Sequence, residues 1–206
     1  IKRPLSALHA ALQAEATQQT SISLNKLDRV RVLTRQANTY LEGISQYQDV
    51  SELFDAPNWS LVNVDEIAND IRTKWDVQVL IDGQISSQIV LCDPLLLDIA
   101  IGNLIENAKK FCKIPTGVSV YLESFEDQLR LEVTDDGPGI PKGEWEHVWQ
   151  KFYKLGGETS NALTGCGLGL HIVDQVAKVH GGHALVVGAS PSVIRFQFPL
   201  RHEAVS

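Results

Sequence analysis

Asn103, Glu106, Asn107 and Lys110 lie three and four residues apart in the stretch 94–111, so on a helix they share one polar face. Two amides one turn apart, followed by a lysine, can set a metal-ligating carbonyl oxygen beside a cation that reaches a phosphate. Glu106 adds a carboxylate able to serve as a base, or simply to pair with Lys110 at ion-pair spacing. Alone, such a face is also what a solvated helix presents. Asp135-Asp136-Gly137-Pro138-Gly139-Ile140 follows an apolar run. A carboxylate at a strand end can accept a hydrogen bond from an amine such as that of adenine, and glycines permit positive φ and close approach of another molecule. The same residues equally make a plain turn. A third cluster, Gly165-Cys166-Gly167-Leu168-Gly169-Leu170, opens a helical pattern whose N-terminal amides suit phosphate oxygens. The preceding 155–164, rich in Gly, Ser and Thr, reads as a mobile lid.

These clusters need a scaffold that alternates helix and sheet. Asp93-Pro94 is a strong helix start, with a capping carboxylate and a proline at the first helical position. From it Leu97, Ala100, Ile101, Leu104, Ile105, Ala108 and Phe111 trace one apolar arc opposite the polar face. Strand patterns are expected at 60–64, 77–81, 89–92, 118–125, 129–134, 184–187 and 193–198, with further helices at 65–74 and 167–180. Upstream, Leu27, Val30, Leu33, Ala37, Leu41 and Ile44 recur at helical steps over 24–50, and Leu5, Leu8 and Leu12 give a shorter stripe before a polar break at 18–23. The two stripes predict a helical hairpin over 1–56 that seeks a second copy to form a four-helix bundle. An α+β domain is expected over 57–206.

Composition closes off other classes. The 206 residues are 44% hydrophobic and 21% charged, with a formal net charge of −7, which fits a globular protein and not a nucleic-acid binder. No apolar stretch approaches the roughly 18 residues of a membrane span, so no membrane contact is expected from this segment, and anchoring of a longer protein stays open. Three scattered cysteines, Cys92, Cys112 and Cys166, suit a reducing cytoplasm. With no methionine and an abrupt start inside a helical pattern, the chain reads as part of something longer. The histidines, including His9, and the tryptophans read as packed or surface residues.

In combination, the three clusters resemble the ATP-binding domain of sensor histidine kinases and, more widely, the Bergerat-type ATPases that include Hsp90, gyrase B and MutL. The stretch 103–111 is similar to the family's asparagine box. This implies Asn107 as the Mg²⁺ ligand, with Asn103 and Lys110 at the phosphates, Glu106 as a candidate base and Phe111 bordering the nucleotide. Asp135 sits where the family reads adenine, with Gly137, Gly139 and Ile140 as the first glycine box. The stretch 148–154, with Tyr153 and Lys154, is similar to the phenylalanine box, and Gly165, Gly167, Leu168, Gly169 and Leu170 match the second glycine box.

Ile1-Lys2-Arg3-Pro4-Leu5 resembles the tail of the phosphoacceptor box, whose histidine would fall just before Ile1. The resemblance therefore implies an α/β-sandwich ATP-binding domain after a dimerising hairpin. It implies ATP and Mg²⁺ as cofactors, a homodimer, a response-regulator receiver domain as partner, and phosphoryl transfer to histidine, with response-regulator phosphatase activity as a reverse reaction. Alternatives are a non-catalytic ATP-sensing dimerisation module and a Bergerat ATPase clamp.

Overall fold

The computed structural model describes residues 24–83, 85, 87–114, 117–155 and 165–200. The first hairpin helix, the break at 18–23 and most of the expected lid lie outside the described residues, as does the Lys2-Arg3-Pro4 segment. Four α-helices are described, α1 (Leu24–Asp55), α2 (Val64–Trp75), α3 (Pro94–Phe111) and α4 (Gly169–Val179), with a short 3-10 turn at Lys142–Glu144. The strands are β1 (Ser60–Asn63), β2 (Gln78–Ile81), β3 (Ile89–Cys92), β4 (Val118–Phe125), β5 (Gln128–Asp135), β6 (His183–Ala189) and β7 (Ser192–Pro199).

The chain is α+β: strands β1 and β3 form an antiparallel ribbon, and the other five form a mixed sheet in the order β2-β4-β5-β7-β6. Strand β2 runs parallel to β4, and the remaining neighbours are antiparallel. Alternation along β5 and most of β4 buries every second side chain, as a half-covered sheet requires, and β7 alternates up to Arg195 before Phe196, Gln197 and Phe198 are buried in succession. Register aligns these in rows, among them Val120, Val133 and Ile194, then Leu122, Leu131 and Phe196. Helices α2, α3 and α4 supply the opposing layer through Ile67 and Ile71, Leu97 to Ala108, and Ile172 to Ala177.

The same alternation carries Asp135 onto the buried face. It lies in a row with Val118 and Ser192, and both Asp135 and Ser192 are almost fully enclosed. Burying a carboxylate costs free energy, so its position at the end of an otherwise apolar row marks it for a task other than packing.

Asp93 fixes the start of α3 as expected. Its Oδ1 accepts the Leu96 N–H at 3.0 Å, and its Oδ2 accepts the Asn58 N–H at 2.6 Å. Helix α1 extends to Asp55, beyond the periodic stripe, while α4 begins at Gly169 and not at Gly167. Phe111, expected on the apolar arc, is 43% exposed. Ala108 is the last residue of that arc to be buried in the core. Within the expected α1 seam, Ala37 is buried but Leu41 is exposed. No helix of the described residues is long and apolar enough to cross a membrane.

Candidate functional site

The polar face of α3 is sorted by depth. Leu104, Ile105 and Ala108 are buried, Asn103 and Asn107 are half-buried, and Glu106 and Lys110 are exposed. The Asn103 Nδ2 donates to the Ile99 carbonyl at 2.8 Å, which turns its Oδ1 outward toward the glycine loop. A Cβ at Gly169 would stand 2.8 Å from that Oδ1, so only glycine lets the start of α4 approach so closely. Further along α3, a Cβ at Gly165 would stand 3.5 Å from the Lys110 Nζ. The asparagine face and the second glycine cluster therefore form two sides of one cleft. Neutral amide oxygens are suitable donors to a hard divalent cation, so the residues present fit Mg²⁺ at Asn107 with Asn103 beside it.

At the other end, Asp135 Oδ1 accepts the Gly137 N–H at 2.9 Å, and the Ser192 hydroxyl donates to the same carboxylate. Burial pushes the Asp135 carboxyl above the ordinary aspartate range, and these two hydrogen bonds oppose the shift. Gly137 also lies under the Phe111 carbonyl, so Phe111 borders the cleft through its backbone. Gly139 has φ of +74° and sits against the Ala189 carbonyl, where a Cβ would overlap it. Ile140 is buried, and its carbonyl accepts the Trp145 indole N–H at 2.8 Å.

The segment 148–155 runs past the second glycine cluster. Phe152 donates its N–H to the Gly167 carbonyl at 2.8 Å, and the Tyr153 hydroxyl donates to Glu144. Leu168 is buried beneath the loop, and Leu170 is half-buried on the first turn of α4. Lys110 Nζ stands 5.0 Å from the Phe111 ring centroid, and although the residue is exposed, local desolvation, with the like charge of Lys154 second, lowers its pKa. Asn103 and Lys110 of α3 thus meet the second glycine cluster at Gly169 and Gly165, while Asp135 and the Phe111 carbonyl meet Gly137 after β5; Glu106 and Phe111 are exposed, and Ile140 and Leu168 are buried beneath.

Sequence reasoning missed two contributors. Ser192 meets Asp135 only through the pairing of β5 with β7, which no local pattern reveals. Helix α1 lies against the segment 148–155 and the first turn of α4. The Tyr40 and Phe152 rings are 6.1 Å apart, Lys151 Nζ stands 4.3 Å over the Tyr47 ring, and Tyr47 OH meets His171 Nε2 at 3.4 Å. The His171 Nδ1 faces the Trp149 carbonyl at 3.0 Å, which makes Nε2 the acceptor for the tyrosine. The signal available was a glycine inside a long helix, Gly43, flanked by Tyr40 and Tyr47 on the same face.

Residues 92–202 match the family described as histidine kinase-, DNA gyrase B- and HSP90-like ATPases. The adaptive-response sensory kinase SasA of Prochlorococcus marinus is 30% identical over 200 residues, covering 91% of this chain and 50% of that protein. The sensor protein RstB of Escherichia coli is 29% identical over 153 residues, covering 72% of this chain and 34% of its own length. Among solved structures, the mycobacterial sensor histidine kinase MprB superposes with a TM-score of 0.57 at 28% identity, covering 70% of this chain and 99% of that one. The chain spans half or less of the length of these curated relatives. The match covers the cleft from Asp93 to the end of β7, and the chain belongs to the family of histidine kinase-, DNA gyrase B- and HSP90-like ATPases.

Proposed function

We propose that the chain is the catalytic part of a sensor histidine kinase, binding Mg-ATP in the α3–β5–α4 cleft and transferring the γ-phosphoryl group to a histidine. The observation that carries this reading is the convergence of an amide oxygen and a lysine of α3 on the glycine cluster that opens α4. Asp135 accepts the adenine amine, held in place by Gly137 and Ser192. Asn107, with Asn103 assisting, would hold Mg²⁺, which would supply charge neutralisation at the phosphates. Lys110 and Lys154 attract the polyphosphate, and the N-terminal amides of α4 face it. Gly165, Gly167 and Gly169 keep that loop close to α3, and Leu168 anchors it from below.

Transfer requires an unprotonated imidazole nitrogen in line with the γ-phosphorus. Its lone pair forms the P–N bond, the bond to the β-phosphate oxygen breaks, and ADP leaves with that electron pair. Glu106, exposed one residue before Asn107, is the candidate base for the proton that the imidazole sheds. The protein's work is therefore mostly positioning and charge neutralisation. The relatives' names support a two-component role, in which a homodimer formed through the helical hairpin passes the group to a response-regulator aspartate. A cytoplasmic setting accords with that role.

The test is to incubate γ-labelled ATP and Mg²⁺ with a chain extended upstream through an acceptor histidine. Label lost in acid and kept in base marks phosphohistidine and supports the reading. Nucleotide binding without label on the extended chain would leave an ATP-sensing module, and ATP hydrolysis without transfer would point to an ATPase clamp.

A further inference from the structure

Gly43 lies inside α1, where glycine costs about 1 kcal/mol relative to alanine. The reason is contact: Gly43 is buried, and a Cβ there would overlap the Cys166 Sγ. The helix backbone thereby approaches the second glycine cluster more closely than any other residue would allow. One turn earlier, the Tyr40 ring lies under Lys154, whose Nζ stands 4.8 Å from the ring centroid. Lys154 follows Tyr153, whose carbonyl stands against Gly167, and Lys110 approaches Gly165 of the same cluster, so the two like charges flank one loop. Two ammonium groups brought together raise the local energy, and an anion between them lowers it. Something must hold Lys154 in that arrangement, and the electron-rich face of Tyr40 does so.

We infer that helix α1 contributes to the nucleotide site, with Tyr40 acting as a positioning residue that holds Lys154 beside Lys110 for the polyphosphate and Gly43 setting the helix's approach. The inference rests on the Mg-ATP reading of the cleft. Its consequence is reciprocal: polyphosphate binding and the seating of α1 on the domain strengthen each other by the same factor. A helix that precedes the domain thus senses whether the triphosphate is bound.

Calorimetric titration of the whole chain with Mg-ATP and with adenosine tests this. Tyr40→Leu is expected to weaken Mg-ATP binding about two- to fivefold and to leave adenosine unchanged, the size of a partly exposed cation–π contact. Tyr40→Phe retains the ring and is expected to restore parental affinity. Gly43→Val, which pushes the helix off Cys166, reproduces the Tyr40→Leu loss, and neither change has an effect in a Lys154→Gln background. Equal weakening of adenosine, a loss that persists without Lys154, or unaltered Mg-ATP binding would overturn the inference. Tighter Mg-ATP binding in Tyr40→Leu would also overturn it, by showing that α1 competes with the phosphates. Failure of the parent chain to bind Mg-ATP removes the underlying reading, whereas a binding parent with an indifferent Tyr40 removes this inference alone.

Discussion

The backbone N–H of Asp93 donates to His180 Nε2 at 3.1 Å, joining the start of α3 to the end of α4 across 87 residues of sequence. The His180 Nδ1–H donates to the Val176 carbonyl at 2.8 Å, so the ring is the neutral tautomer with Nε2 as acceptor. Trp59 and Phe198 pack against it, with ring centroids 5.3 and 5.1 Å away. Since the Asp93 carboxylate also holds the Asn58 N–H, this junction ties the connector from α1 to both helices that border the cleft.

Acid should loosen that junction. Burial lowers the His180 pKa from its ordinary 6.5, with Asp93 and the Val176 carbonyl opposing the shift. Between the lowered value and 6.5 the unfolded chain binds the extra proton, so stability rises with pH in that window and falls on acidification. Thermal melts of the parent should show an acid limb below about pH 6.5 that is flatter in His180→Phe. That variant should also lose about 1–3 kcal/mol at pH 8, because the Asp93 N–H is left without its acceptor.

Asp135 has the opposite linkage. Its carboxyl titrates above the ordinary 3.8, so over that window the folded chain binds more protons and neutral pH works against stability. Asp135→Asn keeps an acceptor for the Gly137 N–H but removes the buried charge, so the melting temperature at pH 7 should rise. Mg-ATP affinity should fall roughly tenfold to a hundredfold, the value of a hydrogen bond to a charged group. A parallel loss of stability and affinity would contradict the assignment.

Asn107→Ala should separate metal from base recognition. Titration with ATP is expected to lose most of its dependence on Mg²⁺, while adenosine affinity stays at the parental level. Unchanged Mg²⁺ dependence would remove Asn107 as the ligand.

Gly139→Ala should destabilise the fold and not merely the site. Its φ of +74° costs an L-residue about 1–2 kcal/mol, and the Ala189 carbonyl occupies the space of the new methyl. Chemical denaturation should show a loss exceeding about 2 kcal/mol. Gly143→Ala, with open space around it, should change stability little.

Much of the cleft was legible because its clusters are local. Asp93-Pro94 marks a helix start by capping chemistry alone, and the order of asparagine face, Asp-x-Gly-x-Gly and glycine cluster reads directly from the sequence. Phe111 misled because periodicity extends the apolar arc to the last turn, whereas burial along α3 stops at Ala108. The Ser192 bond to Asp135 depends on strand register. The seat of α1 on Phe152, Lys154 and Cys166 depends on a contact between distant segments, betrayed only by a glycine in a helix that has no local use for one.

The most direct measurement is calorimetric titration of the parent chain with ATP and with GTP, each with and without Mg²⁺. The account predicts that Mg-ATP binds, that GTP binds at least about tenfold more weakly for want of an amine facing Asp135, and that removing Mg²⁺ weakens ATP. Equal affinity for ATP and GTP, or no binding of either, would contradict it.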